Sequence, residues 1–163
     1  MPRPMTIHLL AVDTATRSPI VILKELNGER TLPIWIGMLE AQAIATELGG
    51  IKSSRPMTHD LLKSIIEKTG IRVNRVEICD LKDNTYYSVI SLTYKGKAFS
   101  IDARPSDALA LSLRVGAPIF VTDEVIEKFE QFDLQVEPED KSERGKRWRE
   151  VLEKLDPEDF GNT

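Results

Sequence analysis

Phe99-Ser100-Ile101-Asp102-Ala103-Arg104-Pro105-Ser106-Asp107-Ala108-Leu109-Ala110-Leu111 reads as the end of a strand, a tight corner and the first turns of a helix. Pro105 suits the first helical position, where a backbone N–H would have no partner in any case. Arg104, directly before the proline, is pushed toward an extended conformation. Asp107 then falls in the first turn, where the helix dipole favours a negative charge. Ala108 and Ala110 are small, so this helix can approach its neighbours closely. Asp102, Arg104 and Asp107 thus place two carboxylates and a guanidinium at one strand-to-helix corner. This is the leading site candidate of the chain.

Before the corner, Ile71 to Leu81 alternates as a strand, and Lys82-Asp83-Asn84 is a turn. Tyr86 to Tyr94 and Lys97 to Asp102 form a hairpin around Lys95-Gly96. Beyond it, Gly116 stops the helix and Pro118 to Val121 is a short strand. Thr122 or Asp123 caps a brief helix from Glu124 to about Phe129. The N-terminal part has the same grammar. Ile7 to Val12 is strand-like, and Pro19 to Lys24 and Thr31 to Ile36 flank the hairpin signal Asn27-Gly28. Pro33 marks a sheet edge or a strand start. Leu39, Ala43, Ile44 and Leu48 have helical spacing, and Gly49-Gly50 ends that helix. A further helix carries Leu61, Leu62, Ile65 and Ile66, with Thr58 as its expected N-cap and Asp60 in its first turn.

The two parts also match one another. An offset of 67 residues lays Asp13 on Asp80, Ile34 on Ile101, Glu40 on Asp107, Ala41 on Ala108 and Gly49 on Gly116. Each half reads strand, hairpin, then a small-residue helix opened by an acid. The fold class is therefore α+β: antiparallel β-hairpins with packed helices, from an internal duplication of a β-hairpin–helix unit. The alternative is that any two such units look alike. If the duplication is real, Glu40 and Asp107 are equivalent positions and lie near one another.

Length and composition allow one well-buried domain, taken as residues 1–134. Residues 135–163 form a polar linker and a C-terminal amphipathic helix with a stripe of Trp148, Val151, Leu152 and Leu155, docking on this chain or on a neighbouring subunit. The net charge of −4 argues against indiscriminate binding to nucleic acid, though not against a local basic patch. No apolar run approaches the roughly 18 residues of a membrane span, so no membrane association is expected. Met1-Pro2-Arg3-Pro4-Met5 lacks the apolar core of a signal peptide, which predicts a cytoplasmic protein. Cys79, the single cysteine, excludes internal disulfides and reads as a small buried hydrophobe. A Walker loop, a G-x-G-x-x-G fingerprint, a G-x-S-x-G elbow and paired histidines at i, i+4 are all missing.

What remains is an acidic set: Glu40, Asp60, Asp102 and Asp107, with His59 beside Asp60. Gathered at one point, these carboxylates would hold Mg²⁺ or Mn²⁺, and His59 would serve as a base or a further ligand. Arg55 and Arg104 would grip phosphate through their planar forks. The plainer reading makes Glu40, Asp60 and Asp107 helix-opening acids, and Arg104 a structural partner of Asp102. Trp35, Tyr86 and Tyr87 read as packing residues rather than base-stacking platforms.

Three stretches carry a likeness: Leu32-Pro33-Ile34-Trp35-Ile36-Gly37 through Glu40-Ala41, Arg55-Pro56-Met57-Thr58-His59-Asp60-Leu61-Leu62, and Ile101-Asp102-Ala103-Arg104-Pro105-Ser106-Asp107-Ala108. In that order they resemble the bifunctional nuclease domain of bacteria and plants, over about Thr6 to Lys128. The resemblance implies an α+β fold, a cytosolic bacterial origin and nuclease activity on RNA and DNA. It supplies no residue roles, so the site rests on chemistry. The helical segment of ultraviolet-repair type that follows the domain in some members is not evident here.

Residues and resemblance together predict a divalent-metal-dependent nuclease. Asp102 and Asp107 are the expected metal ligands, Glu40 and Asp60 assist, Arg104 sits on the scissile phosphate, and Arg55 binds substrate. The alternative is a non-enzymatic oligomeric binding module whose acids cap helices. Either form is expected to be a homo-oligomer, through the edge near Pro33, the small-residue helix and the tail stripe.

Overall fold

The structure is a computed structural model and describes residues 1–135. Its elements are β1 (Arg3–Val12), β2 (Pro19–Glu25), β3 (Thr31–Trp35), α1 (Met38–Leu48), α2 (Thr58–Lys68), β4 (Arg72–Lys82), β5 (Thr85–Tyr94), β6 (Lys97–Ala103), α3 (Pro105–Val115), β7 (Ile119–Val121) and α4 (Asp123–Gln135). The strands form one sheet in the order β3-β2-β1-β7-β4-β5-β6. Two antiparallel meanders, β1–β2–β3 and β4–β5–β6, are joined by β7. Within β7, Ile119 lies opposite Met5 in the antiparallel direction and opposite Val76 in the parallel one. An α+β fold is what the residues predict. Two meanders each followed by a helix is also the expected order, but that order is common to any such pair and does not establish a duplication.

The turns repay attention to backbone sign. Asp83-Asn84 and Lys95-Gly96 have positive φ at both central positions, so β4–β5 and β5–β6 close through tight two-residue turns. Asn27-Gly28, the strongest turn signal in the sequence, is not one of these. Neither of its residues has a positive φ, and β2 and β3 are joined by the longer loop 26–30, closed by the Glu25 N–H bonding to the Arg30 carbonyl at 3.0 Å. Pro33 does lie on an edge strand, as expected. Thr58 does not cap α2; it is the first helical residue, and Met57 precedes it in extended conformation. Asp60 takes over part of that task by accepting the Met57 N–H at 2.9 Å. β1 begins earlier and α4 ends later than the residue pattern indicates. Cys79 is half-buried beside a register shift in β4, not a core residue. The stripe from Trp148 to Leu155 lies outside the described residues.

α3 is the centre of the packing. Alternate residues of the two meanders (Val21, Leu23, Leu32 and Ile34; Val76, Ile78, Ile90 and Leu92) make an apolar floor, and α1, α3 and α4 add Ile44, Leu109, Leu111, Val125 and Ile126. Ala108 and Ala110 are fully buried, which is the close approach their size permits. Among the described residues, one buried charged side chain enters this layer. The Arg114 side chain is 2% exposed, and its three nitrogens are all occupied. Nε donates to Asp60 Oδ1 at 2.8 Å, Nη1 to the Ala110 carbonyl at 2.9 Å and Nη2 to the Ala43 carbonyl at 3.1 Å. One guanidinium thereby ties the start of α2 and the middle of α1 to α3.

Removing it takes one hydrogen bond each from the Ala43 and Ala110 carbonyls and from the Asp60 carboxylate, and with them the tie between the three helices. Arg114→Met is expected to cost about 2–3 kcal/mol in urea unfolding, less than a fully buried pair because Asp60 can turn to water. A loss under about 0.5 kcal/mol, the size typical of surface substitutions, would show that Arg114 is not a structural tie.

Candidate functional site

Three helices present their first turns to one another. Gly37 opens α1 in extended conformation and puts Glu40 in its first turn. Arg104 opens α3 with φ −67° and ψ 143°, Pro105 follows, and Asp107 stands in the first turn. His59 is the second residue of α2. Both acids occupy the helix end where the dipole favours them, and from there they meet Arg104. Its Nε donates to Asp107 Oδ2 at 2.9 Å and its Nη1 to Glu40 Oε1 at 2.9 Å. The other oxygen of Asp107 lies 3.0 Å from His59 Nε2. A continuous polar chain therefore runs Glu40–Arg104–Asp107–His59 across α1, α3 and α2.

Arg104 remains 65% exposed, whereas the His59 side chain is 12% exposed. Arg104 and Glu40 line an open cleft of about 390 Å³, with Trp35, Gly37, Tyr86 and Ser106 among its other walls. Trp35 is 47% exposed and donates its indole N–H to Asp13 Oδ2. Tyr86 does pack against the core, and burial raises its hydroxyl pKa.

The expected set thus divides. Glu40, His59, Arg104 and Asp107 come together, and the nearness of Glu40 and Asp107 is what the internal offset predicts. Asp60 turns the other way, onto Arg114. Asp102 stays apart. It lies opposite Val89 on β6, exposed, and it alternates with Ile101 and Ala103, whose partners Ile90 and Ser88 are buried beneath the helices. The Asp102–Arg104 pair is accordingly not formed, because the corner carries Arg104 over to α1. Arg55 sits on the exposed loop before α2 with no hydrogen bond or ion pair among the described residues. The four carboxylates do not share a point, and among the described residues no three His, Cys, Asp or Glu side chains are placed to hold a metal ion. Arg114 escapes sequence reasoning. A cation in the last turn of a helix reads as a dipole partner, and only its burial reveals its task.

Electrostatics follow from these contacts. Burial pushes the Asp107 carboxyl up, but the hydrogen bonds and charges of Arg104 and His59 outweigh it, and its pKa is lowered. The Met57 N–H and then Arg114 lower that of Asp60. Asp107, followed by Glu40, raises that of Arg104.

The family model described as the bifunctional nuclease domain matches residues 21–133. An uncharacterized protein of Mycobacterium tuberculosis is 35% identical over 159 residues, 94% of this chain and 95% of its own length. Bifunctional nuclease 1 of Oryza sativa subsp. japonica is 30% identical over 112 residues, 67% of this chain. Bifunctional nuclease 1 of Arabidopsis thaliana is 27% identical over 107 residues, 63% of this chain. The matched part is 34% of the rice protein and 33% of the Arabidopsis protein.

The lowered carboxyl pKa of Asp107 carries a pH prediction. Its contribution to stability is complete above the unfolded value of about 3.9 and is lost as pH falls through the lower folded value. Thermal melts of wild type and Asp107→Asn are expected to differ most above about pH 4 and to converge below it. A difference that stays constant down to about pH 2 would show that the carboxylate charge contributes nothing.

Proposed function

The chain belongs to the bifunctional nuclease domain family, and on that premise we propose that its cleft binds and hydrolyses phosphodiesters of RNA or DNA. Arg104 is the observation that supports this above all. It is exposed, two of its nitrogens are fixed by carboxylates, and Nη2 has no partner among the described residues. A planar fork held this way is already aimed and needs little reordering to meet phosphate oxygens. Asp107 joins that fork to His59. It holds Nε2 of the imidazole, so Nδ1 is the edge that takes a proton from an attacking hydroxyl or water. As the new P–O bond forms and the old one breaks, the imidazolium stays beside the Asp107 carboxylate and its proton passes to the leaving oxygen, directly or through water.

The donor geometry does not fit a resident Mg²⁺ or Mn²⁺, since Glu40 and Asp107 each give an oxygen to Arg104 while Asp60 and Asp102 lie elsewhere. The chemistry is therefore assigned to His59, Asp107 and Arg104. Cleavage measured with Mg²⁺, with Mn²⁺ and in chelator reads any metal requirement directly.

A second reading has its own support. Glu40, Asp60 and Asp107 all stand in helix first turns, and each is bonded to an arginine. In an oligomeric binding module without enzymatic activity these acids would be structural ties and nothing more.

Arg104→Lys separates the two. Lysine keeps the charge and loses the fork, so cleavage of a single-stranded oligonucleotide is expected to fall about tenfold or more. The ion pairs lost are exposed ones, so the melting temperature is expected to move by less than about 4 °C. His59→Asn is expected to lower cleavage by about a hundredfold. Purified variants that both cleave at the wild-type rate would favour the structural reading.

A further inference from the structure

A second cleft, of about 360 Å³, opens between the end of α1, the loop 49–57 and the first half of α2. Its walls carry Lys52, Arg55 and Lys63, interleaved with Ser53, Ser54 and Ser64. Arg114 and Asp60 are also in its lining, but they neutralise one another. Lys52 and Arg55 have no hydrogen bond or ion pair among the described residues. Lys63 has only a long exposed contact with Glu67, at 3.9 Å. Against these cations stands Glu47. The cleft is thus a local excess of positive charge, with hydroxyl donors between the cations, on a chain of net charge −4. Unpartnered cations beside free hydroxyls suit the oxygens of a phosphate backbone, which carries charge at every residue and needs no base-specific reading.

Its position ties it to the first cleft. His59 and Asp60 are consecutive residues in the first turn of α2, about 3.8 Å apart at their Cα atoms. His59 bonds to Asp107 in the polar chain that includes Arg104, while Asp60 bonds to Arg114 in the lining of the second cleft. We infer that this basic cleft is a backbone-binding subsite, which holds phosphates of a single-stranded nucleic acid that flank the one placed on Arg104. The choice of ligand rests on the phosphodiester reading above; the cations and hydroxyls do not. At the Arg104 cluster two carboxylates, Glu40 and Asp107, face one guanidinium, so that site has no positive excess with which to hold a polyanion. The second cleft supplies the charge and the first would supply the chemistry.

The test is binding, separated from cleavage. The probe is a fluorescent single-stranded oligonucleotide of about 12 nucleotides, as DNA and as RNA, with a phosphorothioate backbone that keeps its charge and resists cleavage. Affinity is measured by anisotropy from about 50 to 200 mM salt. Lys52→Gln/Arg55→Gln alters two exposed loop side chains and is checked by thermal melt. It is expected to weaken binding about tenfold or more at the lowest salt and to reduce the logarithmic salt slope by about 1.4. Lys95→Gln/Lys97→Gln removes the same charge from the β5–β6 turn and is expected to leave the slope near that of the wild type. A wild-type protein that does not bind the probe would overturn the inference. So would a loop variant with wild-type affinity and slope, or a turn variant that loses as much as the loop variant. Binding as expected, from a protein that cleaves no unmodified oligonucleotide, would support the subsite and overturn only the hydrolytic reading.

Discussion

A buried guanidinium must find acceptors for its N–H groups, and that constraint organises the helical layer. Arg114 sits at 2% exposure among apolar side chains, and it meets the requirement by drawing on three helices at once. The Ala110 carbonyl comes from its own helix, the Ala43 carbonyl from α1 and the Asp60 carboxylate from α2. Only the Nε donor depends on α2, through the Asp60 carboxylate. With Asp60 anchored, its neighbour His59 stands within reach of Asp107, and the outer polar chain can form. The candidate site is thus a consequence of how the interior is satisfied.

The two arginine networks differ in depth, and depth decides what each can do. The Arg114 guanidinium is 2% exposed, so losing an acceptor leaves one of its donors empty, at about 1–3 kcal/mol each, although Asp60 on its outer side still reaches water. Around Arg104 water competes freely, and exposed ion pairs of this kind are worth about 0–1 kcal/mol. The inner network is therefore fixed, while the outer one keeps an open edge at Nη2. Glu40 and Asp107 keep the outer guanidinium in place for an incoming anion. A rigid base carrying a held but open tip is what a phosphate-binding corner would require.

Much of this was legible in the residues, because the signals involved are local. Pro105 after Arg104 marks the start of α3, and alternation marks β4, β5 and β6. The offset between the halves foresees that Glu40 and Asp107 would be neighbours. What failed depended on distant contacts. Asn27-Gly28 promises a tight turn, but the chain forms a longer loop closed from Glu25 to Arg30. Asp102 is near Arg104 in sequence, yet strand alternation separates it from the Arg104 cluster, on the opposite side of β6 from the helices. The insertion of β7 between the meanders, and the burial of Arg114, depend on pairings across most of the chain. No local pattern encodes them.

The most direct measurement is a crystal structure of the full chain with an uncleavable single-stranded oligonucleotide bound. The result expected is a phosphate oxygen within hydrogen-bond distance of the Arg104 guanidinium, with Asp107 still bonded to His59 and Arg114 unchanged beneath. An oligonucleotide seated elsewhere, with no phosphate oxygen within hydrogen-bond distance of Arg104, would contradict the assignment of this corner as the phosphodiester site.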